Sequence, residues 1–197
     1  MEEKIKASGE VVKLVVASLT SEEYGIPIMQ VQEIIKYPEV THIPNMPSFV
    51  DGVINLRGKI VPIIDLHKRF GLGVKVKTDD TRIVVSSTGD QSVGLVVDSV
   101  SEVIRITPDL IDPIPPTISR VGTEYLEGVC KIENRLIILL NLGMILSELE
   151  RSSIADMVVE KKSAPMEDLS KNLAEKLASQ NTAKKEPAKD EDQKPKK

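Results

Sequence analysis

Gly25-Ile-Pro-Ile-Met-Gln-Val-Gln-Glu-Ile-Ile-Lys36 and, 69 residues further on, Gly94-Leu-Val-Val-Asp-Ser-Val-Ser-Glu-Val-Ile-Arg105 are one apolar pattern written twice. At the same offset Lys13-Leu-Val-Val-Ala-Ser18 lies over Arg82-Ile-Val-Val-Ser-Ser87. Residues 13 to 36 share seven identities with their copy (Val15, Val16, Ser18, Gly25, Val31, Glu33 and Ile35), where chance supplies about one or two. A second match follows at an offset of 76, between Gly52-Val-Ile-Asn-Leu-Arg-Gly-Lys-Ile-Val-Pro-Ile-Ile-Asp-Leu66 and Gly128-Val-Cys-Lys-Ile-Glu-Asn-Arg-Leu-Ile-Ile-Leu-Leu-Asn-Leu142. The order A, B, A′, B′ implies two similar units related by a pseudo-twofold axis. It leaves two layouts open: A may pair with B, or B and A′ may form one barrel inserted between A and B′.

The repeated segments read as strands. Short apolar runs between residues 10 and 150 are bounded by Gly, Pro, Asn, Asp or Ser, as strands are. With three Tyr, two Phe and no Trp, the core must be filled by Val, Ile and Leu, which favour sheets. The fold class is therefore all-β. Pro27 and Pro62 stand inside such runs, which predicts edge or bulge positions for them. After Leu142 the period changes: Leu142, Ile145, Leu146, Leu149, Ile154 and Met157 fall at helical spacing, so a helix caps the barrels. The expected division is a barrel domain over 10–150 and a helical, then disordered, charged tail over 151–197. Within the tail, Met166, Leu169, Leu173 and Leu177 share a helical face, and Asn181 to Lys197 has almost nothing to bury.

Composition excludes several functions. The net charge of -4 and the sparse rings give no attraction to phosphate backbones and little on which bases could stack, so nucleic acid is not an expected partner. No apolar run is long enough to span a bilayer, which predicts a cytoplasmic protein with no direct membrane insertion. Cys130, the only cysteine, lies in an apolar run and reads as a buried, inert thiol. His42 and His67 have no metal-ligand spacing with each other or with Cys130, and read as solvated or capping residues. Gly71-Leu-Gly73 is a turn rather than a phosphate cradle. Glu22-Glu23 and Asp79-Asp80 read as solvated turn carboxylates. No catalytic residue, metal site or cofactor is expected.

The repeat separates fold from function. Gly25 with Gly94 and Glu33 with Glu102 are kept in both copies, which the shared fold explains. In the two B hairpins Gly58 aligns with Asn134, the residue types that best tolerate φ > 0. The preceding residue is Arg57 in one copy and Glu133 in the other, so the turn does not require arginine. Arg57 is thereby a candidate for recognition, since its planar fork suits a carboxylate or carbonyls on a partner.

Tyr24 to Ile35, Phe49 to Leu66, Val93 to Val100 and Thr123 to Val129 together closely resemble the CheW family of bacterial chemotaxis coupling proteins. Asn55-Leu56-Arg57-Gly58 is the most specific part, and the resemblance covers roughly residues 10 to 150. It implies two pseudo-symmetric five-stranded SH3-like barrels. It also implies a scaffold that couples chemoreceptor cytoplasmic tips to the histidine kinase CheA, whose regulatory domain shares the fold, and so recruitment to membrane receptor arrays. By the resemblance Val31, Glu33, Asn55, Arg57 and Gly58 line the receptor groove, and Gly52, Tyr125 and Leu126 are kinase-contact candidates. A coupling protein of a related system such as twitching motility, or a detached regulatory module of the kinase type, is the alternative. No phosphotransfer or ATP-binding segment precedes the barrels, so a full kinase is not expected.

Overall fold

The computed structural model describes residues 11–88, 91–114 and 123–163, the last seven as backbone only. Eleven strands run in chain order: β1 (Val12–Leu19), β2 (Glu22–Pro27), β3 (Val31–Lys36), β4 (Val50–Leu56), β5 (Lys59–Asp65), β6 (Arg82–Thr88), β7 (Gln91–Val97), β8 (Ser99–Ile106), β9 (Ile111–Asp112), β10 (Leu126–Ile132) and β11 (Arg135–Leu140). Two helices join them, α1 (Leu66–Arg69) and α2 (Glu148–Ser163). The chain divides into units 1–157 and 158–197; in the second, only the end of α2 falls among the described residues. The expectations for Met166 to Leu177 and for the segment from Asn181 lie outside them.

The strands form two sheets. The first barrel has the order β8-β1-β2-β11-β10-β9 and the second β3-β6-β7-β5-β4. The inserted-barrel layout is the one adopted, with a refinement: the third strand of each A unit crosses, so β3 joins the barrel of A′ and β8 returns to that of A. Apart from that of β9, each ladder in one barrel maps onto the other through the two sequence offsets. Val16↔Gly25 becomes Val85↔Gly94, Val15↔Val103 becomes Val84↔Ile34, and the parallel pair Leu139↔Gly25 becomes Ile63↔Gly94. The short β9 of the first barrel has its counterpart in an isolated bridge between Thr41 and Val53.

Because each A hairpin packs inside one barrel and against the other, β1 and β6 are buried on both faces. Leu14, Val15, Val16 and Ala17 are inaccessible, as are Ile83, Val84, Val85 and Ser86. That explains their unbroken apolar runs where a one-sided strand would alternate. Ile54, Val61, Ile63, Ile83, Val85 and Val96 fill the second barrel; Leu14, Ile106, Cys130 and Leu139 fill the first. Burial pushes the Cys130 thiol up. Gly25 and Gly94 sit on the parallel seams, where a Cβ would come within 3.1 Å of Leu14 and 2.6 Å of Ile63 respectively.

Ser86 Oγ is buried with no hydrogen-bond partner among the described residues, and the repeat places Ala17 at the equivalent position. Ser86→Ala should therefore raise stability by about 1 kcal/mol, by removing an unsatisfied buried hydroxyl. A lowered midpoint in chemical denaturation would mean that the hydroxyl has a partner.

Four expectations are corrected. Pro62 stands in β5, an interior strand, immediately before its parallel pairing with β7 begins at Ile63. Glu22 and Glu23 open β2 rather than occupy the turn. Leu149 is 82% exposed although Leu142, Ile145, Leu146 and Ile154 are buried. The first apolar residues lie in and after a 3-10 turn, and Ser147 and Glu150 then start α2 with a reciprocal capping box, which resets the helical phase. His67 is neither solvated nor a cap: it is buried, and its Nε2 lies 2.9 Å from Asp98 Oδ1, tying α1 to the β7–β8 corner.

A charged cluster holds the segment after α1. Lys77 pairs with Asp65 and, at 3.1 Å, with Asp51; Asp51 also takes Lys68 at 2.7 Å and the Tyr37 hydroxyl at 3.0 Å. Burial pushes the Asp51 carboxyl up, but the donors from Lys68, Lys77 and Tyr37 outweigh it and hold the group below the ordinary range. Burial likewise lowers Lys77, and the two aspartates outweigh it and hold the ammonium above its usual value. A depressed Asp51 stabilises the fold above the unfolded carboxyl value, about 3.9, and that contribution is lost as pH falls through the lower folded value. A raised Lys77 stabilises below its unfolded value, about 10.4, and its contribution is lost as pH climbs through the higher folded value. The melting temperature should thus be flat across neutral pH and fall at both extremes, and Lys77→Met should flatten both limbs. Unchanged limbs in the variant would show that the cluster does not set them.

Candidate functional site

The site is built by the β4–β5 hairpin and the facing strand β3. Arg57 and Gly58 both adopt positive φ, 53° and 85°, the primed turn that matches the twist of the flanking strands. Asn55 Oδ1 accepts the Gly58 amide at 2.8 Å, fastening the turn from inside. In the twin hairpin Glu133 carries the positive φ, at 52°, and Asn134 is not among the positive-φ residues described. The residue that both hairpins hold left-handed is therefore the one before Gly58 and Asn134, which corrects the expectation from the alignment.

Arg57 is 82% exposed, and among the described residues its one side-chain bond runs from Nη2 to Glu33 Oε2 at 3.0 Å. The structure thus brings together Glu33, Asn55, Arg57 and Gly58, with half-buried Val31 at the start of β3. In the first barrel the equivalent carboxylate, Glu102, accepts Arg135 Nη1 at 2.7 Å, and Arg135 makes two further bonds of 2.8 Å to Glu23. Arg135 aligns with Lys59 rather than Arg57, so the repeat keeps the carboxylate while its arginine comes from a different hairpin position. Arg135 is locked by two carboxylates; Arg57 is presented by one.

Sequence reasoning passed over Ile34 and Val103. These equivalent positions on β3 and β8 are apolar yet 41% and 50% exposed. The signal was available, since Ile34 aligns with Val103 one residue after the paired glutamates.

The other candidates lie elsewhere. Gly52 is buried at a bulge in β4 with φ 145°, and a Cβ there would come within 2.4 Å of Thr41 O. Tyr125 stacks on Phe70 at 5.5 Å, with the Arg69 guanidinium 4.8 Å from its ring, and Leu126 opens β10 half-buried. Arg69 also makes a two-pronged bond to Glu150 at 2.8 and 2.9 Å, joining α1 to α2. His42 Nδ1 stands 3.5 Å from the Asp51 carbonyl. Among the described residues no group of three or more His, Cys, Asp or Glu could hold a metal ion, and no helix is long and apolar enough to cross a membrane.

A duplicated pair of strand-exchanged β-barrels, with an arginine displayed on a rigid hairpin, defines a binding module. The CheW-like domain family model matches residues 13–150, and the chain belongs to that family. It is 41% identical over 157 residues to the Chemotaxis protein CheW of Klebsiella aerogenes, covering 79% of this chain and 94% of that protein. It is 34% identical over 145 residues to the Chemotaxis protein CheW of Bacillus subtilis, covering 73% of this chain and 93% of that protein. The crystal structure of the scaffolding protein TtCheW from Thermoanaerobacter tengcongensis superposes with a TM-score of 0.66 at 40% identity, covering 74% of this chain and 94% of that one.

Proposed function

We propose that this protein is a non-catalytic scaffold of chemotaxis signalling, coupling chemoreceptor cytoplasmic tips to the histidine kinase CheA. The names of its relatives support the chemotaxis role and, for TtCheW, the scaffolding one. The observation that carries the site is Arg57: the fold builds the equivalent hairpin with Glu133 at the same positive φ, yet here it displays a guanidinium whose donors, among the described residues, are mostly unpaired.

In this reading the receptor docks against Glu33 and Arg57, with Ile34 and Val103 supplying apolar contact. Val31, Asn55 and Gly58 shape that surface. The kinase docks separately, near Leu126 and Tyr125 and the bulge that Gly52 permits. The protein is cytoplasmic and reaches the membrane arrays through these contacts rather than by insertion.

The experiment is a binding titration of the full chain against a receptor signalling tip and against the regulatory domain of CheA. Saturable binding of both, with Arg57→Glu removing only the first and Leu126→Ala weakening only the second, is the expected pattern. Failure of the wild-type chain to bind either partner would sink the reading.

A further inference from the structure

Two pairs of like charges stand on the barrels at a cost that the fold does not repay. In the β1–β8 ladder Lys13 lies directly across from Arg105, and in the β3–β6 ladder Lys36 lies directly across from Arg82. The pairs are one feature written twice, since the offset of 69 carries Lys13 onto Arg82 and Lys36 onto Arg105. Directly opposite residues of an antiparallel ladder share a face, and like charges placed so destabilise the sheet. A chain of net charge -4 has carboxylates to spare, yet neither barrel sets one here.

No ion pair relieves the repulsion. Among the described residues none of the four cations meets a carboxylate. Lys13, Lys36 and Arg105 are exposed. Arg82 is half-buried and donates to the carbonyls of Asp79 at 2.7 Å and Thr81 at 3.0 Å, which are uncharged acceptors. Exposed carboxylates stand nearby along the chain at Glu39, Asp79, Asp80 and Asp109, and all four are turned to solvent rather than to these cations. Among the described residues β3 and β8 end their sheets, so no further strand lies beyond Lys36 or Arg105.

The place of the pairs points to what answers them. Alternate residues of a strand share a face, so Arg105 lies on the face of Val103 and Lys36 on that of Ile34, the exposed apolar positions assigned above to receptor contact. Each apolar contact is therefore followed, two residues on, by a pair of cations. A carboxylate seated between the members of a pair would take bonds from both and cancel their repulsion. A membrane surface fits less well, because lipid-binding clusters carry about four to eight neighbouring cations and the chain as a whole is negative. We propose that the receptor segment docking on Ile34 and Val103 carries Asp or Glu side chains that seat between Lys13 and Arg105 and between Lys36 and Arg82, and that these pairs select the receptor by charge. This rests on the receptor reading above and adds the partner's chemistry to it.

The test measures association of a soluble receptor signalling tip with the full chain by surface plasmon resonance, beside a thermal melt. Lys13→Glu turns the like pair into an opposite pair with Arg105, so the melting temperature should rise by roughly 1 to 3 °C. Receptor affinity should nevertheless fall by roughly tenfold, from one lost surface pair and the repulsion that replaces it. The loss should lie chiefly in the association rate, whose dependence on salt becomes shallower. Lys36→Glu should act in the same way against Arg82. A residue that only supports the fold would lower melt and affinity together, so the opposite signs identify recognition. Wild-type affinity in both variants, or lost affinity with a lowered melt, would overturn the proposal. So would binding of the chain to vesicles of anionic lipid that Lys13→Glu abolishes, since the occupant would then be a membrane. If the wild-type chain binds the tip and only Arg57→Glu weakens it, the receptor reading stands and charge selection by these pairs falls. If the wild-type chain does not bind the tip, both fall.

Discussion

Arg57→Glu should abolish binding to a receptor signalling tip while leaving the melt and the kinase interaction in place. Truncating one side of a buried interfacial charge pair costs about 2 to 5 kcal/mol, or roughly 30-fold to several-thousand-fold in affinity, and a reversed charge adds repulsion. The fold has little to lose, because the Arg57–Glu33 pair is 82% exposed on the arginine side and surface ion pairs contribute about 0 to 1 kcal/mol. The twin hairpin, in which Glu133 takes the same positive φ of 52°, is an internal control that glutamate is tolerated at that position. The charge-swapped double variant Glu33→Arg, Arg57→Glu sharpens the result. It restores the intramolecular pair, so recovery of receptor binding would mean that the pair acts only by shaping the hairpin. Continued loss assigns the guanidinium itself to the partner.

The largest stability effect belongs to Gly52→Ala. At φ 145° an L side chain is strained, by about 1 to 3 kcal/mol. The added Cβ would also stand 2.4 Å from Thr41 O and 2.9 Å from Thr41 C, backbone atoms held by the bridge to Val53. Overpacking of this kind costs about another 1 to 3 kcal/mol, giving about 2 to 6 in all. The midpoint should drop by on the order of 10 °C, at roughly 2 to 4 °C per kcal/mol for a chain of this size. Gly58→Ala is the comparison: φ there is 85° but nothing lies within 4 Å of the new atom, so only the strain remains. Equal melts for Gly52→Ala and Gly58→Ala would refute the steric account. A Gly52 variant that loses the kinase must be judged beside its melt, because a broken bulge would remove that surface along with the fold.

Much of the architecture was legible because duplication exposes it. The offsets of 69 and 76 found in the sequence are the offsets that relate the two sets of strand registers. Val15, Gly25, Glu33 and Ile35 were marked as fold positions by identity alone, and Arg57 as dispensable to the turn by its difference from Glu133. Other features left no local trace. The lock on Glu102 comes from Arg135, an arginine that the repeat aligns with Lys59. His67 reads in the sequence as a solvated or capping histidine, and Asp98, which stands beside it, is 31 residues away. Leu149 fitted a helical period that a capping box interrupts.

Local chemistry in the sequence was enough to determine the all-β class, the A, B, A′, B′ duplication, the tight hairpin at Arg57-Gly58 and a core filled mainly by Val, Ile and Leu, with Tyr24 as a buried aromatic. These follow from residue type, φ preference and apolar period, which neighbours along the chain decide. Only the tertiary structure decided that β3 and β8 cross between barrels, that Gly52 is fixed by the approach of Thr41, and that Val74 and Val76 face outward. A strand's period of two is the same whichever sheet it enters, and says nothing of which face is covered. The carboxylates that hold Lys75 and Lys77 come from other elements, so their pull on the segment appears only when those elements have been brought together.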